Sequence, residues 1–382
     1  LVGFDYATID IQANDDEWNS GEEIPLVLVD GDANKNSRAD EDLDLNNPAV
    51  TLIPSLRTGD PFTLGEGSNS TTFVYANVTA VPSLGLTVNS TGVTEPDNIT
   101  VDSFSKIGRL STDSTTGRGA NAIVIDFQTT LGDLRNTLGN TNSTAADRLQ
   151  GFNFLNMDVR SFNSTGVYDV YLLNSTTNII ETDGTIDSAV GKVLIATGVS
   201  AQTGLISLNG SAADATDNTA TINNAIFNES FSDDNVVGAL IYETGTGIAN
   251  LATLSSTSDA DPIVLDFFSF GFKNDGRIAS ERIANQLIRI EAEETGDNTS
   301  TFEGSLEYVM VNQLNIRDVT TYTGLTTIAD DPSFVVIEDL TDEDSPRVNY
   351  LDLGADGVST QVADQEEAPS HSGIVSFDSD SY

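Results

Sequence analysis

The sequence predicts an all-β protein made of β-sandwich domains. Three observations lead there. Apolar runs are short and rich in Val, Ile, Leu, Phe and Thr, residues that suit a pleated, half-buried surface. Gly, Pro, Asn and Ser break these runs at close intervals. Only one segment, 277–288, carries a helical apolar period, through Ile278, Ile283, Leu287 and Ile288.

Taken in order, residues 1–11 alternate apolar and polar and read as a first strand. A turn cluster with the only Trp, Trp18, follows. Ile24 to Val29 is a branched apolar run with Pro25 near its start, a buried strand. Further strands are expected at 49–53, 71–78, 85–88 and 99–104. A weak internal repeat then appears: 123–128 reads IVIDFQ and 263–268 reads IVLDFF. Each copy leads through a mixed segment to another strand, a polar hairpin tip and a closing strand. Between the copies, 192–196, 204–208 and 236–242 read as strands, and 211–220 as an exposed loop. A repeat of this length is a whole domain rather than a solenoid unit. The expected division is 1–178, 179–318, and a junction with a partial third module over 319–382.

Composition narrows the function. Asp and Glu number 59 against 16 Lys and Arg, a formal charge of −43. Nucleic acid is an excluded partner, because phosphates need protein cations to neutralise them. Divalent ions and small cations are attracted instead, and salt or divalent ions should favour the compact state. The absence of cysteine excludes disulfides and thiolate metal sites, and the single His371 excludes multi-histidine metal chemistry. There is no GxSxG, P-loop or HExxH motif. A sugar-cleaving carboxylate pair lacks the aromatic platform it needs, so no enzyme is expected. No signal peptide, membrane-spanning run or basic arm is visible. The chain reads as a mature protein or a piece of a longer one.

The segment after Val29 carries the main candidate chemistry. Asp30, Asp32, Asn34 and Asn36 place side-chain oxygens at alternate positions, and Glu41 stands twelfth counting from Asp30. A hard cation takes six to eight oxygens, so Ca²⁺ or Mg²⁺ in a structural role is expected here. The spacing fits the EF-hand loop, except that Lys35 stands where that loop has Gly. A solvated acidic turn has the same composition. A second acidic group, Asp339, Asp342 and Asp344 beside Glu338 and Glu343, suits an ion shared at a domain junction, or a solvated linker. A third, Asp352, Asp356, Asp378 and Asp380, reads as surface charge.

Ten Asn-x-Ser/Thr sequons occur, at Asn69, Asn77, Asn89, Asn98, Asn142, Asn163, Asn174, Asn209, Asn228 and Asn298. Such acceptors belong on the surface of an exported protein, so N-linked glycans are expected. A polar, Thr-rich strand surface would also contain them.

Two stretches carry a resemblance. One is WNSGEEIPLVLVDGDANKNSRADEDLDL at 18–45, and the other is ETGDNTSTFEGSLEYV at 294–309. Together they resemble the immunoglobulin-like modules of archaeal S-layer proteins, above all those of ammonia-oxidising archaea. The likeness covers about half the chain. It implies tandem immunoglobulin-like sandwiches in a secreted glycoprotein that self-assembles on the cell surface as a porous, negatively charged lattice with bound divalent cations. An adhesin or pilus subunit is the alternative.

Overall fold

Short branched and aromatic runs become strands because their backbone groups pair only with other strands, while their side chains bury on either face. The computed structural model describes residues 5–14, 18–50, 55–59, 61–65, 70–76, 97–101, 104–110, 122–138, 150–161, 167–173, 192–199, 203–208, 232–243, 261–272, 281–312, 314–337, 345–367, 376 and 378. The expected strand at 85–88, the expected loop at 211–220 and most of the expected strand at 49–53 lie outside them.

The elements run β1 (Thr8–Ile11), β2 (Glu22–Val29), β3 (Ser55–Thr58), β4 (Phe62–Thr63), β5 (Ser70–Ala76), β6 (Asp97–Val101), β7 (Gly108–Leu110) and β8 (Ala122–Thr130). Helix α1 (Leu131–Leu138) follows, then β9 (Gln150–Asp158), β10 (Tyr168–Leu173), β11 (Lys192–Val199), β12 (Thr203–Ser207) and β13 (Val236–Glu243). Next come β14 (Asp261–Phe272), β15 (Arg282–Ile290), β16 (Glu293–Glu294), β17 (Thr301–Val311) and helix α2 (Thr320–Thr323). The last are β18 (Ile328–Ala329), β19 (Ser333–Ile337), β20 (Arg347–Leu353) and β21 (Ser359–Gln365). The protein is therefore overwhelmingly β, in mostly antiparallel sheets.

A five-stranded sheet runs β1-β2-β17-β16, with β19 parallel to β17. A sixteen-stranded sheet runs β11-β10-β13-β8-β5-β6-β7-β14-β15-β3-β20-β21, with β4, β9, β12 and β18 attached off this path. Strands distant in sequence pair directly: β2 with β17, β8 with β13, β9 with β14 and β3 with β20. Both repeat copies lie in the large sheet, the first in β8 and the second in β14.

β14 is the central element. Its side chains alternate between faces, as a strand requires. Ile263, Leu265 and Phe267 enter one core with Phe62, Phe127, Met157 and α1. Phe268 and Phe270 face a second core with Phe152, Tyr322, Trp18 and Tyr308. Burial on both faces explains its nearly unbroken apolar sequence.

The described part of the helix expected over 277–288, residues 281–288, is not α-helical. Arg282–Ile290 forms β15, antiparallel to both β14 and β3. Leu287, Ile288 and Ile290 are all buried, so both faces of this strand are covered near its end. Two-sided burial erased the alternation that would have marked a strand. The longer of the two described helices, α1, lies in the mixed segment after the first repeat copy. Leu131, Leu134 and Leu138 bury one face of it, while Thr130 and Asp133 cap its start by exchanging hydrogen bonds at 2.8 and 3.2 Å.

Candidate acidic cation site

The loop after β2 folds by local hydrogen bonding. Asp30 Oδ1 accepts the amides of Asp32 at 2.7 Å and Ala33 at 3.3 Å, an Asx-type turn that reverses the chain. The Asp30 amide donates to Ser300 O at 3.0 Å, which ties the turn to the β16–β17 hairpin. Asp30 is buried, and its Oδ2 accepts the Tyr350 hydroxyl of β20 at 2.7 Å.

Asp352, two residues on, lies on the same inward face of β20 as Val348 and Tyr350. It is completely buried, so the expectation that it is surface charge is corrected. Its Oδ2 accepts the Ala7 amide at 3.1 Å. Oxygens of Asp30, Asp32 and Asp352 all lie within 4.8 Å of one another. Asp32 Oδ2 and Asp352 Oδ1 are buried and have no hydrogen-bond partner.

The electrostatics match this crowding. Burial, then the charges of Asp30 and Asp352, pushes the Asp32 carboxyl above its ordinary range. Burial also raises Asp352, with Asp30 and Asp5 adding repulsion that the Ala7 amide only partly offsets. Burial and the adjacent Asp30 raise the Tyr350 hydroxyl as well, so it stays protonated and donates.

The second half of the loop goes elsewhere. Asn34 Nδ2 donates to Ser300 Oγ at 3.1 Å. Asn36 turns the chain locally, its carbonyl accepting the Arg38 amide at 2.8 Å. Glu41 lies against Glu294 of β16, whose Oε2 accepts the Glu41 amide at 3.3 Å. Both Glu41 carboxylate oxygens are buried. Burial and a hydrogen bond shared with Glu294 push the Glu41 carboxyl up. Burial works on Glu294 too, but the Ser300 and Glu41 amides outweigh it and hold that carboxyl down. The two neighbouring carboxyls are thus pushed in opposite directions.

The structure thus brings Asp30 and Asp32 together with Asp352 and sets Glu41 beside Glu294. Asp339, Asp342 and Asp344 lie outside the described residues. Among the sequons, Asn298 is exposed at the β16–β17 hairpin tip with φ +60°. Asn98 lies in β6, and the other eight fall outside the described residues. Asp352 was legible in principle: in RVNYLDL it falls in phase with Val348 and Tyr350, a carboxylate at a core-facing position.

Other buried carboxylates have arginines. Asp266 of β14 takes Arg289 Nε at 3.1 Å and Nη2 at 3.0 Å, with Thr63 Oγ1 donating at 2.5 Å. Arg160 bridges Asp158, at 2.8 Å from Nη2, and Glu291. No known protein family matches the chain, and no curated protein does. Among the described residues no helix is long and apolar enough to cross a membrane.

Proposed function

We propose that this chain is a structural cell-surface glycoprotein of the S-layer type, non-enzymatic and extracellular, built of immunoglobulin-like sandwiches. It assembles with copies of itself into a cation-stabilised, negatively charged porous lattice. The observation that carries this reading is the grouping of Asp30, Asp32 and Asp352 in a chain of net charge −43. Such a protein depends on dissolved cations, Ca²⁺ or Mg²⁺, to hold its carboxylates together. N-linked glycans at the ten sequons cover the outer faces, Asn298 at its hairpin tip among them. Pores lined with carboxylate concentrate small cations and repel anions.

A filament or adhesin subunit is the second reading. It is favoured by β21, which ends the large sheet, is mostly exposed and ladders only with β20 among the described residues.

The test is electron microscopy of purified protein dialysed into calcium, with a chelator as the reverse arm. Ordered sheets that dissolve on chelation support the lattice. Fibres favour the second reading, and a persistent monomer sinks both. Across assembled sheets, ammonium should permeate faster than nitrite, and equal rates would remove the selectivity claim.

A further inference from the structure

We propose that Asp30, Asp32 and Asp352 bind one divalent cation of calcium size, and that this ion fastens the loop after β2 to strand β20. The inference rests on the cation-dependent half of the function proposed above, not on the lattice.

The donor set has the right chemistry. Three carboxylates supply hard oxygens, and water completes the six to eight that calcium takes. Calcium–oxygen distances are about 2.3–2.6 Å, so ligands on opposite sides of one ion stand about 5 Å apart. The oxygens of these three residues lie within 4.8 Å of one another. They fit around a single ion without moving.

The hydrogen bonding identifies the occupant. Asp30 has both oxygens held, Oδ2 by Tyr350 and Oδ1 by the turn amides, Asp352 has Oδ2 held by Ala7, and the Asp5 backbone amide reaches the Asp32 carboxyl. Asp32 Oδ2 and Asp352 Oδ1 remain, buried and without a donor. Unpaired buried carboxylate oxygens are costly, and native structures satisfy them. The charges acting on Asp32 come from the carboxylates of Asp30, Asp352 and Asp5, and those on Asp352 from Asp30 and Asp5. A cation from solution removes both problems.

The site joins distant chain. Tyr350 and Asp30 are 320 residues apart. The first strand meets the same hairpin, with the Ile11 amide donating to Asp364 at 2.8 Å and the Tyr6 ring against Gly354. The ion therefore joins the loop after β2 to the β20–β21 hairpin, and the Ala7 amide on Asp352 brings the segment before β1 to the same place.

The experiment uses the full chain, glycosylated as produced, at concentrations where it is monomeric. Chelated protein is titrated with Ca²⁺, and separately with Mg²⁺, by calorimetry and thermal melting. Tb³⁺ emission excited through tyrosine reports the site near Tyr350. Asp352→Asn is compared with Asp356→Asn, which removes the same charge from an exposed turn of the same hairpin. Calcium is expected to raise the melting temperature of the wild type and of Asp356→Asn. Asp352→Asn should lose the tightest site, by at least about tenfold in affinity, with most of the terbium emission. In chelator, Asp352→Asn should melt higher than wild type, and in calcium lower.

Equal calcium affinity in the two variants overturns the proposal. So does a wild-type melting temperature that ignores calcium. If Asp352→Asn does not fold, the half-buried Asp32→Asn takes its place with the same expectations. A tight ion without sheets leaves the site standing and sinks the lattice. Calcium-dependent sheets from Asp352→Asn, with affinity unchanged, do the reverse.

Discussion

Asp266 and Asp352 are each wholly buried on strands of the large sheet, yet they are surrounded differently. Asp266 meets the Arg289 guanidinium through two hydrogen bonds, while Arg289 Nη1 also donates to Ser105 O. Thr63 and Asn156 donate to the same carboxylate, and Thr327 in turn donates to Asn156. Asp352 faces Asp30 and Asp32 with only backbone amides as donors and no cationic side chain beside it among the described residues. The first site is complete within the chain and locks β4, β9, β14 and β15 into register. On the proposal above, the second is completed by a cation from solution. The difference separates a fixed structural element from a conditional one. The first should work in any medium, and the proposed ion would tie the second to the composition of the solution.

The largest effect should come from breaking the complete site. Arg289→Met leaves Asp266 buried and unpaired, which costs about 3–5 kcal/mol. Denaturant unfolding reads this, and adding Asp266→Leu should recover much of the loss. An intermediate effect is expected at Arg160, which is only partly buried between Asp158 and Glu291. Arg160→Gln should cost about 1–3 kcal/mol by the same measurement.

The conditional site should reverse its pH dependence with calcium. Folding raises the Asp32 and Asp352 carboxyls above their usual range. Groups raised in the folded state contribute stability below their ordinary value and lose it as pH rises through the raised one. In chelator, wild type should therefore lose stability relative to Asp352→Asn as pH rises from about 4 to 7. With calcium saturating, the ligands must be ionised, so wild type should gain over the same range. Melting curves of both proteins at each pH check the crossing. Parallel curves in both media would make the two sites equivalent and dissolve the contrast.

The smallest effect should be at Asp126, the repeat counterpart of Asp266. It is half-buried, its carboxyl is raised by burial, and its Oδ1 accepts the Gln128 amide at 2.8 Å. Asp126→Asn should change stability by no more than about 0.5 kcal/mol, because a partly exposed carboxylate keeps its water.

Strand content was readable because period and turn residues are local properties. β2, β13 and β14 lie where apolar runs predicted strands. β15 was misread because RIANQLIRI carries branched residues on both faces and an accidental helical spacing. Sheet order was not legible: nothing near Glu22–Val29 announces a partner at Thr301–Val311. Of the acidic loop, the sequence showed that Asp30 and Asp32 belong to one cluster of carboxylates. The loop's division was not legible, because Glu41 meets Glu294 and the third carboxylate of the cluster is Asp352, both fixed by tertiary pairing.

The pairing of β2 with β17 has a consequence for how the chain comes to be folded. Val29 opposes Thr301 and Glu22 opposes Tyr308, so this ladder closes only after nearly three hundred residues exist. Contacts of such long range fold slowly, because loop entropy is lost before they form. Until then an apolar strand with open edges waits beside a carboxylate-rich loop. Like charge on that loop repels other waiting chains, so the carboxylates proposed to hold a cation in the finished protein would guard the unfinished one against aggregation.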